Sequence, residues 1–134
     1  MSLDRATRRQ VRQRAADQCE YCQRRQSDSL LIPLQVEHVL PRKHGGGDEI
    51  DNLALACAEC NLHKGSDLSG IDPESSEVTR LFDPRQDNWN EHFNWHGLRI
   101  VGLTAIGRTT VRVLQMNATA RLKVRLVTRR SKPD

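Results

Sequence analysis

Two pairs of cysteines with the same spacing constrain this chain more than any other feature of its sequence. Cys19 and Cys22 form the first pair, and Cys57 and Cys60 form the second. Two cysteines separated by two residues direct both sulfur atoms toward one point, and two such pairs supply the four thiolates of a tetrahedral structural zinc site. We therefore predict a single zinc ion bound by all four cysteines.

The alternatives for these cysteines are two disulfides in a secreted domain, or free thiols. No cleavable apolar leader follows Met1, because the first twenty residues are rich in charge, arginine and glutamine. We therefore expect a cytoplasmic protein, in which disulfides are rare and this spacing indicates metal binding. Since the apolar runs are all short, we expect neither a transmembrane span nor a membrane partner.

The size and composition of the chain predict one domain with a modest core. The chain has 134 residues, of which 37% are hydrophobic and 4% aromatic. A structural metal compensates for a small core, because its binding free energy is available only to the folded chain. We interpret residues 1–134 as a single domain.

Charge is unevenly distributed along the chain. Residues 1–30 contain seven Lys/Arg and four Asp/Glu, residues 31–103 contain six and twelve, and residues 104–134 contain eight and one. The two ends are therefore basic and the middle is acidic. Basic ends suit a polyphosphate partner such as nucleic acid. The alternative is that the arginines near the start only solvate one face of a helix.

Hydrophobic periodicity predicts the order of elements in the first half of the chain. The first fifteen residues repeat an apolar side chain every four positions, which indicates a helix capped by Ser2 or Asp4. A strand over 34–40, a glycine loop at 45–47 and a second strand over 53–56 follow. A helix over 58–64, ending at Gly65, completes the unit.

The second half of the chain is less regular. Residues 66–87 are rich in Asp, Ser, Pro and Gly and predict an irregular connector. Within an extension over 88–134 we expect two short strands, then a helix capped by Thr104. Asn117 is expected to cap a last helix, although residues 122–126 also alternate as a strand would.

The two tryptophans of the extension, Trp89 and Trp95, have no ligand spacing around them. We interpret them as the core of their own subdomain rather than as a base-stacking or second metal site.

A group of polar residues lies between and just after the cysteine pairs, in a fixed order. It comprises Glu37-His38, Pro41-Arg42-Lys43-His44-Gly45-Gly46, Asp51-Asn52 and Asn61-Leu62-His63-Lys64-Gly65. In this order, and interleaved with the cysteines, the pattern over residues 19–65 resembles the HNH endonuclease family. The resemblance implies a ββα-metal core, in which a two-stranded ribbon and a helix enclose one catalytic divalent cation. The resulting fold class is α+β: a small HNH core stapled by a four-cysteine zinc site, with an N-terminal helix and a C-terminal hairpin plus helices.

The resemblance also assigns roles to single residues. His38 would be the general base, a task that suits an imidazole because its unperturbed pKa is about 6.5. Glu37 and Asn61 would hold a catalytic Mg²⁺ or Mn²⁺, hard cations that prefer oxygen ligands, with His63 as a second choice of ligand. Family members commonly have Asp where this chain has Glu37. Asn52 would support the site by fixing the loop that carries His38.

Less specific interpretations apply to the same residues. His38 could be a buried, hydrogen-bonded histidine, Glu37 an exposed strand carboxylate, and Asn61 a local cap. Four further side chains would contact phosphates, or else be solvated loop residues; they are Arg42, Lys43, His44 and Lys64.

The sequence thus predicts a metal-dependent endonuclease that hydrolyses phosphodiester bonds of DNA, with RNA as the alternative substrate. A different class of protein with the same scaffold is a zinc-knuckle protein that binds nucleic acid without cutting it. A protein-binding adaptor ranks last, because it leaves Glu37, His38 and Asn52 without a role. The oligomeric state stays open.

Overall fold

The computed structural model describes residues 3–29 and 31–130 of the chain. Within these two ranges the chain forms five α-helices and six β-strands, and the strands pair as three antiparallel hairpins. The elements are α1 (Arg5–Arg14), β1 (Gln35–His38), β2 (Leu53–Ala56), α2 (Ala58–Lys64), β3 (Ser69–Ile71), β4 (Val78–Arg80), α3 (Trp89–His92), β5 (Phe93–His96), β6 (Arg99–Gly102), α4 (Ala105–Val113) and α5 (Thr119–Arg130). The predicted α+β class is confirmed.

The first hairpin and the helix after it form the ββα unit that the sequence predicted. β1 and β2 pair so that Gln35 faces Ala56 and His38 faces Leu53. β2 is buried along its whole length, in keeping with its unbroken apolar sequence. Because Pro41 follows the ribbon closely and cannot donate to a ladder, β1 ends early. α2 then ends at Gly65, as expected.

Helix α1 lies across this ribbon and is fastened to it partly by its arginines. Asp4 caps the helix by accepting the amide of Thr7, and Val11 is fully buried. Arg12 donates to the carbonyl of Leu34 at 3.1 Å. Arg14 donates to the carbonyl of Ile50 at 2.8 Å and also to that of Leu53. Arg12 and Arg14 therefore hold the backbone at the ends of the strands. The sequence suggested only that these arginines are solvated or contact nucleic acid, and neither role includes these bonds.

The segment 66–87, expected to be an irregular connector, contains the hairpin of β3 and β4. Its strands are short and mostly exposed, so the sequence carries little of the alternation that marks a strand. A buried carboxylate in its turn organises it instead. Asp72 accepts two hydrogen bonds from Arg108 on α4, both at 3.0 Å, and these tie the hairpin to the extension.

The extension contains the third hairpin and two helices. β5 and β6 turn at Gly97, and Thr104 caps α4 by accepting the amide of Gly107 at 3.1 Å. Residues 119–130 are helical and not a strand. Asn117 does not cap α5 as expected, because its side-chain amide bonds the backbone of Ile100 in β6, at 2.9 and 2.8 Å.

The two tryptophans join the extension to the first cysteine pair rather than forming a separate core. Trp89 donates to the carbonyl of Tyr21 at 2.8 Å, and Trp95 donates to the side chain of Gln23 at 2.9 Å. Buried residues from α1, the cysteine turns, β2, β5, β6 and the turn after α4 form one continuous cluster. Among the described helices, none has both the length and the apolar character needed to cross a membrane.

Candidate active site and metal centre

The four cysteine sulfurs meet at one buried point, between the turn that carries Cys19 and Cys22 and the start of α2. All four lie within 4.8 Å of one another, and the Sγ atoms of Cys22 and Cys57 are 3.7 Å apart. In each pair a backbone N–H of the second cysteine points at the sulfur of the first. The distances are 3.5 Å for Cys22 to Cys19 and 3.4 Å for Cys60 to Cys57.

This arrangement fits a tetrahedral metal ion and does not fit disulfides. Zinc–sulfur bonds of about 2.3 Å in a tetrahedron place neighbouring sulfurs about 3.8 Å apart. A disulfide would bring two sulfurs to about 2.05 Å, whereas none of these four cysteines is disulfide-bonded. The four cysteines therefore form a site suited to a metal ion such as zinc.

One residue of the metal centre was not predicted from the sequence. Arg121, on α5, is 6% exposed, and its Nη2 lies 3.0 Å from the sulfur of Cys60 and 3.6 Å from that of Cys57. Burial by itself would lower the pKa of Arg121, but the negative charge of the cysteine sulfurs raises it above its ordinary value. The sequence gives no signal for this contact, since sixty residues separate Arg121 from the second cysteine pair.

His38 is placed at the end of β1, where it meets a carboxylate from the glycine loop. Its Nε2 lies 2.7 Å from Oδ1 of Asp48, and its side chain is 18% exposed. Arg42 also donates to that oxygen, at 3.0 Å from Nη2. Hydrogen bonds from His38 and Arg42 hold the pKa of Asp48 below its usual range. Asp48 was not predicted, although an acidic residue directly after the glycine run is a signal that could have indicated it.

The loop that carries Asp48 is held by Asn52. Its Oδ1 accepts the amide of Leu40 at 2.9 Å, and its Nδ2 donates to the carbonyls of Leu40 at 3.0 Å and Gly47 at 2.8 Å. The glycines make this closure possible. Gly45 has a φ of 93°, and a Cβ at Gly46 would lie 1.7 Å from the Leu40 carbonyl oxygen. The asparagine thereby fixes both ends of the loop that faces His38.

Glu37 lies on the opposite face of β1, as strand alternation requires. Its side chain is 4% exposed and its carboxylate faces Nζ of Lys64 at 3.1 Å, while Tyr21 donates its hydroxyl to the other carboxylate oxygen. Lys64 also donates to the carbonyls of His38 at 3.2 Å and Val39 at 3.1 Å. Burial raises the pKa of Glu37, and the ammonium of Lys64 and the Tyr21 hydrogen bond oppose that rise.

Asn61 and Lys64 are three residues apart and share one side of α2, and each lies over one residue of β1. Asn61 donates to the side-chain oxygen of Gln35 at 2.5 Å, just as Lys64 donates to Glu37. The predicted cation ligands, Glu37 and Asn61, are thus bonded to different partners. In the part of the chain that the structure describes, only the four cysteines form a group of three or more His, Cys, Asp or Glu with metal-site spacing.

The other predicted site residues lie at the rim. Arg42, Lys43 and His44 form an exposed turn after Pro41, and His44 is placed 3.1 Å from the carbonyl of Ser66. His63 is half-buried on α2. This side of the site can therefore present the positive charges of Arg42 and Lys43 to an anion. The imidazole of His38 lies beside them, with its Nε2 hydrogen-bonded to Asp48.

Comparison with known proteins finds a family match over the part of the chain that carries the cysteines and His38. Residues 19–67 match the family model described as HNH endonuclease. The Septu protein PtuB of Bacillus thuringiensis is 29% identical over 108 residues, a match that covers 79% of this chain and 39% of the relative. The chain therefore spans well under half the length of that relative. No solved structure matches the chain.

Proposed function

Because residues 19–67 belong to the HNH endonuclease family, we propose that this protein hydrolyses phosphodiester bonds of nucleic acid, with DNA as the substrate and His38 as the general base. One observation carries the proposal: the partly exposed imidazole of His38 is hydrogen-bonded to a carboxylate on the loop that Asn52 closes. An imidazole oriented by an acidic partner is the arrangement that general-base catalysis uses.

The partner of His38 decides which nitrogen acts. Asp48 is ionised at neutral pH, since its neighbours lower its pKa, and an ionised carboxylate can only accept a hydrogen bond. The proton of a neutral imidazole must therefore sit on Nε2, 2.7 Å from Asp48. The lone pair is left on Nδ1, and we assign to that atom the proton taken from the attacking water.

The turn after Pro41 supplies the charge that would hold the substrate. Arg42, Lys43 and His44 are exposed and follow directly on the strand that carries His38. The arginine and the lysine among them can attract and position a phosphate backbone without reading its sequence. Lys64, also expected at the phosphates, is instead buried against Glu37, so the proposal assigns it no phosphate.

The proposal includes a catalytic cation, Mg²⁺ or Mn²⁺, held by Glu37 and Asn61, on the condition that Lys64 moves away from Glu37. As arranged, Glu37 does not fit a divalent ion, because the ammonium of Lys64 occupies its carboxylate; the hydrogen bond from Asn61 to Gln35 uses the amide nitrogen and not the oxygen that would bind the ion. Such an ion would supply positive charge for the leaving oxygen. Its binding at Glu37 requires that Lys64 move away, and His63, half-buried on the same helix, stays the second choice of ligand.

The same observation favours one alternative of a different class, a zinc-knuckle protein that binds nucleic acid without cutting it. A carboxylate that is permanently paired with lysine would leave the scaffold intact and the cation unbound. For either function we assign zinc a structural role and expect a cytoplasmic protein, since four cysteines without a disulfide suit a reducing compartment.

A plasmid cleavage assay separates these functions. Supercoiled DNA is incubated with the zinc-loaded protein and a series of Mg²⁺, Mn²⁺ and Ca²⁺ concentrations, and nicking is quantified on gels. The His38→Ala variant should nick at least about 100-fold more slowly, the lower range of a lost general base, with unchanged zinc content. His96→Ala is the matched control, since His96 is exposed on the far hairpin.

Each other outcome has a definite reading. DNA retardation without nicking across the whole metal series would support the binding protein and reject the nuclease. Equal nicking by the wild type and His38→Ala would remove His38 from its proposed role. Binding to neither DNA nor RNA would leave the protein-binding adaptor.

A further inference from the structure

Helix α5 has an unusual buried face. Of residues 119–129, whose burial the structure describes, Arg121 alone is buried, and Leu126 and Val127 are 39% and 64% exposed. A helix in a soluble fold ordinarily docks through an apolar stripe. Here the deepest side chain is a guanidinium, so polar contacts must contribute much of what holds the helix in place.

The guanidinium of Arg121 bridges two structures. Nη1 donates to the carbonyls of Leu114 at 2.8 Å and Gln115 at 3.2 Å, at the end of α4. Nη2 points at the sulfur atoms of Cys60 and Cys57. One side chain thereby links α5, the end of α4 and the metal centre.

The remaining contacts of α5 leave space beneath it. A cavity of about 270 Å³ lies between α5 and the turn that carries the first cysteine pair. It is bordered by Gln23, Arg25, Trp95, Val124 and Thr128. One turn after Arg121, Arg125 bonds the carbonyls of Leu98 at 3.1 Å and Met116 at 2.6 Å and lies over the ring of Trp95. Close apolar packing is therefore not available here to replace the polar anchor.

We propose that Arg121 is the charge partner of the zinc centre, so that zinc binding and docking of α5 stabilise each other. Four thiolates around Zn²⁺ carry a net charge of −2, whereas four thiols are neutral. A buried guanidinium is costly without an opposing charge and is stabilised by one. Hydrogen bonds from Arg121 in turn make the sulfurs harder to protonate, and the side chain closes one approach to the metal. Both effects slow metal release.

The first test measures zinc release from the full chain into an excess of a chromophoric chelator. Arg121→Met keeps the length of the side chain and removes its charge, and we expect release about tenfold faster, within the range that second-shell partners of a metal contribute. Arg125→Met is the matched control, because Arg125 lies on the same helix and donates to carbonyls and an amide oxygen but to no sulfur. Because Arg125→Met weakens the docking of α5 but leaves Arg121 at the sulfurs, we expect its release rate to lie between those of the wild type and Arg121→Met. Equal rates for the two variants would overturn the proposal.

The second test measures hydrogen exchange on the zinc-loaded protein, to find which backbone amides lose protection in the variant. In Arg121→Met the amides of α5 should lose protection while those of β2 keep it. Uniform loss across both elements would show a general loss of stability and reject the specific coupling.

If Arg121→Met does not fold, Arg121→Lys and Arg125→Lys replace the pair. Arg121→Lys must then release zinc faster than Arg125→Lys, because an ammonium cannot bridge both the carbonyls and the sulfurs as the guanidinium fork does; equal rates would again reject the coupling.

Discussion

Replacing Lys64 with methionine should destabilise the protein more than most single substitutions. The Lys64 and Glu37 side chains are 3% and 4% exposed and their charged atoms are 3.1 Å apart. Lys64→Met leaves the Glu37 carboxylate buried with Tyr21 as its remaining partner, and it also strips a donor from the carbonyls of His38 and Val39. Removing one member of a buried ion pair costs about 3–5 kcal/mol. We expect a loss of about 4 kcal/mol in the free energy of unfolding, a large part of the 5–15 kcal/mol typical of a domain.

The stability loss should depend on pH in a direction that identifies its cause. Burial already raises the pKa of Glu37, and Lys64 opposes that rise, so the pKa of Glu37 in the folded variant should be higher still. A group whose folded pKa exceeds its unfolded value stabilises the fold at low pH and loses that contribution as the pH rises through the folded value. The defect of Lys64→Met should therefore be largest at neutral pH and shrink as the pH falls toward about 4.3, the unfolded value for Glu.

Urea unfolding of the zinc-loaded protein, followed by tryptophan fluorescence, measures these changes. Adding Glu37→Gln to Lys64→Met removes the stranded charge and keeps an acceptor for Tyr21, so the double variant should recover about 2 kcal/mol or more. Lys43→Met, an exposed lysine near the same strand, is the control and should change stability by less than about 0.5 kcal/mol. A Lys64→Met loss below about 1 kcal/mol, without recovery in the double variant, would refute the buried-pair reasoning.

Two further predictions concern the loop and the second hairpin. Asn52→Ala removes three hydrogen bonds of the loop that faces His38, so we expect about 2 kcal/mol lower stability and slower plasmid nicking; a thermal midpoint equal to that of the wild type would contradict this. Hydrogen bonds from Arg108 lower the pKa of Asp72, so this carboxylate stabilises the fold above its unfolded pKa of about 3.9 and loses that contribution as the pH falls below it. The gap in thermal midpoint between the wild type and Asp72→Asn should therefore be present at pH 7 and narrow progressively below pH 4, and a gap that does not change with pH would count against the ion pair.

Short-range sequence patterns were sufficient for the ββα unit and for the cluster of four cysteines. The spacing of Cys19, Cys22, Cys57 and Cys60 fixed the sulfur cluster, because a two-residue separation leaves few ways to direct two side chains apart. Strand, loop, strand and helix followed from hydrophobic periodicity and from Pro41 and Gly65, which act on the backbone locally. The hairpin of β3 and β4 escaped this reasoning, because its strands are three residues long and are held by an ion pair with Arg108, distant in sequence.

What the sequence by itself determined, then, is the set of chemical groups: four cysteine sulfurs, the imidazole of His38 next to Glu37 in the chain, and an asparagine that closes a loop. Only the tertiary structure decided how these groups are paired. It turned Glu37 inward to Lys64 and Tyr21, turned His38 outward to Asp48, and brought Arg121 to the cysteine sulfurs. The physical reason is that burial and charge pairing act through space, and no pattern along the chain records which distant side chain will neutralise a buried charge.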